Sequence, residues 1–287
     1  MTGWEPIRTL ALAARSASFA AIGLALAGEA IGQGETGFLR GEGRLDAVLS
    51  YTLDTYDRFW VGTTKVDDPS VGRIRRAAYN VYAAYGVASC LDVGANLSYV
   101  SASSTGIFER EDDLQDLELK LKWKGLATRL GPGEASVLLS PGVKFPVSNY
   151  EDNAPTAIGD GQTDYRGRAI LHYQLDQGAF LSLETGYDRR AGVPKDETPW
   201  NLTVGGTFFG FLTLSPFYSI VRSYGGPDIG DPGFSFPAVQ EEYERAGVST
   251  YVRLGSNLGL VGLWRTTLDG RNTGDADAFA FGTVIRF

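Results

Sequence analysis

The sequence predicts an all-β chain: a transmembrane antiparallel up-and-down β-barrel of about 12 strands, with short periplasmic turns and longer extracellular loops. Three observations predict it. The last nine residues alternate without a break, with Phe279, Phe281, Thr283, Ile285 and Phe287 on one face and Ala280, Gly282, Val284 and Arg286 on the other. A period of two is that of an extended strand. In the segment DLELKLKWKG, Leu117, Leu119, Leu121 and Trp123 face one way while Asp116, Glu118, Lys120, Lys122 and Lys124 face the other. Slipping that register by one would turn three lysines toward lipid, at about 2–4 kcal/mol each at the bilayer midplane. Finally, short and long connections alternate strictly, as turns and loops do at the two ends of such a barrel.

The first segment is a secretory leader. Arg8 and Arg15 precede an apolar, small-residue run from Ala17 to Ala27 that closes in Ala25-Leu26-Ala27, the pattern of a cleavable signal. The run is far shorter than the roughly 20 apolar residues of a spanning helix. Cleavage is expected after Ala27, with a second site at Gly28-Glu29-Ala30. This gives a signal peptide at 1–27, a short periplasmic or lumenal segment at 28–42 and the barrel at 43–287.

The strands follow in order. Leu45, Ala47, Leu49, Tyr51 and Leu53 alternate with Arg44, Asp46, Ser50 and Thr52. Ala77 to Tyr85, then Leu91 to Tyr99, make the next two apolar faces, and Leu117–Trp123 the fourth. Val137, Leu139, Val143 and Phe145 oppose Ser136, Ser140 and Lys144. Tyr165, Ala169, Leu171 and Tyr173 oppose Asp164, Arg166, Arg168 and His172, and Leu181, Leu183 and Tyr187 face away from Ser182, Glu184 and Asp188. Trp200, Leu202 and Val204 alternate with Asn201 and Thr203. Leu212 to Val221 is a strand of open phase, because both faces are mostly apolar. Ala246 to Leu254, Leu258 to Trp264 and the terminal strand complete the set. Short links fall at 86–90, 126–133, 176–178, 209–210 and 255–257, and long ones at 54–74, 102–115, 146–163, 189–198, 223–242 and 269–275. An even number of strands returns both ends to the periplasm.

Composition narrows the function. Removing the leader takes 26 basic and 34 acidic side chains to 24 and 33, a formal net charge of −9, which excludes nucleic acid as the expected partner. The 37 glycines among 287 residues favour turns and close strand contacts over helices. Cys90 is the one cysteine, so no disulfide framework exists within the chain.

Several stretches resemble the family of outer-membrane proteins associated with the meta-pathway of phenol degradation. They are Tyr85-Gly86-Val87 leading to Leu91-Asp92-Val93-Gly94, Leu114–Trp123, Val143-Lys144-Phe145-Pro146, Ile158–Asp164 and Glu184-Thr185-Gly186-Tyr187, together spanning residues 43–209. The resemblance implies a barrel transporter linked by name to hydrophobic aromatic compounds. Larger importers of such compounds carry a plug domain, whereas here only residues 28–42 precede the first strand. They could line or partly occlude a lumen but cannot build a hatch.

The candidate transport path is the charged inner face: Glu118, Lys120, Lys122, Lys124, Arg166, Arg168, His172, Glu184, Arg253 and Arg265. It reads either as an ion-selective pathway or as salt bridges that fill and stiffen the lumen. Phe279, Phe281, Ile285 and Phe287 form the expected membrane-assembly signal. His172 is the only histidine; a hydrolase would need a nucleophile beside it, and Ser182 on the next strand is the conceivable one, so a structural role is expected. Acidic loops at Asp269–Asp277 and Glu109–Asp113 concentrate oxygen atoms, but Arg271 and Thr273 break the calcium-loop pattern. Solvated loops are the expectation, with no metal or cofactor. Trp60, Trp123, Trp200 and Trp264 are expected in interfacial girdles.

The sequence therefore points to an outer-membrane channel or transporter for passive or facilitated passage of small molecules. Its partners would be a small solute, outer-membrane lipid and lipopolysaccharide, and the barrel assembly machinery. The alternative is a closed structural or interaction barrel whose loops bind a partner; an outer-membrane hydrolase is the remaining reading.

Overall fold

A computed structural model of the protein describes residues 33–287; the leader and cleavage site expected from the sequence lie outside the described residues. Along the chain the strands are β1 (Leu45–Tyr56), the short hairpin β2 (Phe59–Val61) and β3 (Thr64–Val66), β4 (Ile74–Ala88), β5 (Leu91–Ser104), β6 (Glu111–Leu114), β7 (Asp116–Leu130) and β8 (Gly133–Pro146). They continue as β9 (Asp164–Leu175), β10 (Phe180–Arg190), β11 (Glu197–Phe208), β12 (Leu212–Ser223), β13 (Glu242–Arg253), β14 (Leu258–Arg271) and β15 (Asp277–Arg286). Leaving out β2, β3 and the short β6, twelve strands form one antiparallel ring. β1 closes it, pairing with β4 on one side and β15 on the other, from Asp46↔Arg286 to Thr55↔Asp277. The backbone of the spanning region thus finds its partners in neighbouring strands all the way round, as a hydrocarbon environment demands.

Alternation decides which residues meet lipid. Leu49, Leu121, Trp123, Trp200, Trp264 and Phe281 stand exposed on the outer face, while Val48, Lys122, Glu184 and Val284 on the opposite phase are buried. No helix among the described residues is long and apolar enough to cross a membrane; the chain crosses with strands.

The structure settles β12. Thr213, Ser215, Phe217, Ser219 and Val221 are buried inward, and Leu214 and Pro216 face out. Two expected boundaries and one expected placement change. The link assigned to 126–133 is mostly strand, because a bulge between Lys124 and Leu126 shifts the pairing and lets the β7–β8 ladder run on to Leu130↔Gly133. That hairpin projects from the periplasmic end with both faces of Gly125–Leu130 exposed, which hides its pairing from a hydrophobic pattern. The loop assigned to 102–115 shortens, since β5 extends to Ser104 and β6 folds back onto it through Tyr99↔Leu114. Trp60 is not in a girdle: it lies in β2 at 4% exposure, packed in the extracellular loops with the Lys65 ammonium 4.3 Å from its ring centroid.

Inside, one side of the wall is apolar. Val48, Tyr82, Ala84, Val261, Leu263, Ala280 and Val284 form a buried cluster with Phe180, Phe217 and Tyr251. Among the described residues one from outside the ring, Phe38, joins it.

Candidate functional site: a charged lumen closed by the N-terminal segment

Residues 33–40 run inside the barrel. The segment enters at the periplasmic end, where a Cβ on Gly86 would overlap the Gly41 carbonyl, so glycine at 86 permits the approach. Arg40 donates its backbone N–H to Asp92 at 2.9 Å. Phe38 then lies edge-on to His172 and Phe180, with ring centroids 4.5 and 5.0 Å away. A side chain at Gly37 would collide with His172. Further in, Glu35 sits against the charged wall, and Gln33 receives Ser249 and donates to Thr203 at 3.3 Å.

Glu35 organises the middle of the lumen. One carboxylate oxygen is 3.4 Å from Lys120 Nζ and accepts from Ser140 Oγ at 3.1 Å. The other is 3.3 Å from Lys122 Nζ. The Glu35 backbone N–H donates to Glu184. Glu184 in turn is 3.3 Å from Arg168 Nε and accepts from Asn201 at 3.1 Å. Arg168 forks onto Asp188, with Nη2 at 2.7 Å, and Arg166 reaches Glu118 at 2.8 Å and Asp188 at 3.4 Å. A cavity of about 290 Å³ remains beside this network.

The lumen-facing residues expected from the sequence therefore divide. Glu118, Lys120, Lys122, Arg166, Arg168 and Glu184 come together in one network. His172 lies nearer the periplasm, its Nδ1 2.6 Å from Ser182 Oγ and its Nε2 buried without a hydrogen-bond partner. The Ser–His contact is thus real, but Phe38 covers the ring, and we place no nucleophilic chemistry there. Lys124 stands at the periplasmic rim, 3.6 Å from Glu134. Arg253 ends β13 at the same rim. Arg265 is on the inner wall, 3.1 Å from Asp54 and apart from the main network. Phe279, Phe281, Ile285 and Phe287 lie on the outer phase of the closing strand and its last residue, with Phe287 bonded through its N–H to the Leu45 carbonyl at 2.8 Å.

Toward the extracellular side the lumen widens into a cavity of about 650 Å³, walled by residues such as Tyr56, Arg76, Ile158, Phe236 and Arg245. Loops roof it. Lys144 joins Asp116 at 3.2 Å and Asp164 at 2.8 Å, and Arg190 bridges Asp160, Asp164 and Glu197. Tyr150 donates to Asp116; burial, then this bond, pushes the phenol above its ordinary value. Asp228 accepts Arg271 through both oxygens at 2.8 Å and Asn272 Nδ2 at 2.8 Å, which holds its carboxyl below the usual range. Of the acidic loops, Asp275 is taken up by Arg58 and Lys65 at 3.0 Å each. Among the described residues no group of His, Cys, Asp and Glu could hold a metal.

Sequence reading missed Glu35 and Ser140 as members of this site. Asp188 was visible as inner-facing, two steps from Glu184, but its pairing with Arg168 depends on the β9–β10 register, Gly186↔Arg168 and Asp188↔Arg166. Glu35 carries no periodic signal, and only its contact across 85 positions of chain to Lys120 marks it.

A ring of twelve strands with an apolar outer belt and a charged interior is a bacterial outer-membrane β-barrel of channel-like architecture. Residues 32–281 match the family described as "Putative MetA-pathway of phenol degradation", and the chain belongs to it. The fold is similar to that of the COG4313 outer membrane channel from Pseudomonas putida F1, at 13% identity and a TM-score of 0.72, covering 89% of this chain and 100% of that one. It is also similar to the NanC porin, at 9% identity and a TM-score of 0.52, covering 84% and 98%. Comparison with curated proteins finds no match.

Proposed function

We propose that this protein is an outer-membrane channel for small solutes, present here in a closed state, with its own N-terminal segment as the closing element. The observation that carries the reading is the path of Gln33–Arg40 through the lumen, below the cavity of about 650 Å³. Residues 33–35 are attached by ion pairs and hydrogen bonds, not by strand pairing, so they can leave without breaking the ring. The charged wall beneath would then sort solutes by charge. Family membership favours aromatic compounds among them. Phe279, Phe281, Ile285 and Phe287 would serve as the signal read by the barrel assembly machinery, and the apolar belt would contact lipid and lipopolysaccharide.

Planar-bilayer recording tests this. Deleting residues 33–40 is expected to raise single-channel conductance, and Lys120→Glu with Lys122→Glu in that background to move selectivity toward cations. If the deleted form folds, shown by heat-modifiable gel migration, yet passes no current, the channel reading fails.

A second reading, a closed barrel that binds a partner through its loops, draws on the ordered extracellular surface, where Asp228 ties the 224–241 loop to β14 and Trp60 is buried. Deleting 228–238 would then abolish partner binding and leave permeability unchanged.

A further inference from the structure

We propose that Lys120, Lys122 and Ser140 form a binding site for the carboxylate of a transported solute, and that Glu35 occupies it as a built-in stand-in while the lumen is closed. The inference rests on the channel reading and adds a ligand class and a trigger to it.

The geometry is that of a receptor for one carboxylate. Two ammonium groups, from side chains 10% and 4% exposed, approach different oxygens of Glu35 at 3.4 and 3.3 Å, and a hydroxyl donates to one of them at 3.1 Å. All three groups belong to the wall: Lys120 and Lys122 to β7, and Ser140 to β8. The carboxylate comes from the removable segment. Neighbouring charges do not substitute for it, since Glu118 is taken by Arg166, and Glu184 and Asp188 by Arg168. An incoming carboxylate repeats the contacts of Glu35 with the two ammonium groups and the Ser140 hydroxyl, whereas an amide or an alcohol brings no charge to them.

Tethering sets the scale of competition. A group on a short flexible linker acts as if present at millimolar concentration, so a free carboxylate at comparable concentration competes for the site. The 650 Å³ cavity above holds such a solute next to the network before exchange. Entry of the solute and release of the segment then become one event, and neutral molecules do not open the path.

Acetate serves as the probe and acetamide as its uncharged counterpart. Calorimetric titration of the whole folded protein in detergent is expected to show acetate binding at least tenfold tighter in Glu35→Gln than in the unsubstituted chain. Lys120→Met with Lys122→Met in the Glu35→Gln background should remove it, and acetamide should bind neither form. In bilayers at constant ionic strength, acetate should raise the open probability of the unsubstituted chain and leave Glu35→Gln unaffected. A folded Glu35→Gln protein that conducts but gains no acetate affinity overturns the carboxylate site and leaves the channel standing. Acetate binding of the expected strength, with no current even after deletion of 33–40, supports the site and ends the channel reading.

Discussion

The two sides of this barrel's interior solve the same packing problem with opposite chemistry. Along β14, β15, β1 and β4, between the Asp46–Arg286 and Asp54–Arg265 ion pairs, the lumen is lined by Val261, Leu263, Ala280, Val284, Val48 and Tyr82. Along β7, β9 and β10 it is filled by Glu118, Lys120, Lys122, Arg166, Arg168, Glu184 and Asp188. The N-terminal segment touches both, with Phe38 on the apolar cluster and Glu35 on the charged one. The apolar side stabilises by area removed from water and has no alternative occupant. The charged side contributes little net stability, because desolvation offsets the attraction between buried ions. It is therefore the side on which one ligand can be exchanged for another, and the difference assigns anchoring to Phe38 and recognition to Glu35.

The comparison can be broken most severely on the apolar side. Val284→Asp places an unpaired carboxylate next to Val48, Tyr82 and Ala84, a burial that mutational data rarely tolerate. Loss of the heat-modifiable barrel on a detergent gel is the expected outcome. On the charged side, Arg168→Ala takes the guanidinium from Glu184 and leaves Asp188 with Arg166 alone, and should cost about 3–5 kcal/mol in urea unfolding. Replacing the group together, as Arg168→Met with Glu184→Gln and Asp188→Leu, should recover most of that loss, because no carboxylate is left without Arg168. Equal losses in the single and combined variants would show that the two sides do not differ in kind. Phe38→Ala should weaken docking of the segment by about 3 kcal/mol without unfolding the ring, read as a higher open probability in bilayers.

The smallest effect concerns the loops. The depressed carboxyl of Asp228 means that its bonds to Arg271 and Asn272 are fully in place above its unfolded value of about 4. They are lost only as pH falls through the lower, folded value. Amide protection in the 226–241 loop, measured against the intrinsic exchange rate at each pH, should stay constant from neutrality to pH 4 and fall below it; Asp228→Asn should show the low protection at every pH.

The outer face was legible because lipid requires an apolar residue at every second position, and Leu117–Trp123 and Phe279–Phe287 carry that alternation without a break. The inner face was legible only where it is charged. Val48 and Val284 face inward although nothing in their chemistry says so, and β12 stayed open for that reason: a packed lumen accepts the same residues as a membrane. Trp60 misled because an aromatic near a strand end suits a girdle and a folded loop equally well. Glu35 was invisible since its meaning comes from Lys120 and Lys122, far along the chain.

The seam between β1 and β15 has a consequence for biogenesis. The final strand of the chain is hydrogen-bonded to the first, rung by rung from Asp46↔Arg286 to Thr55↔Asp277. A polypeptide shortened by even this one strand would retain β1 and β14 as two raw edges with no means of sealing them. The ring thus cannot close until β15 has been made, and a copy terminated before that strand is left with edges that a membrane does not accept.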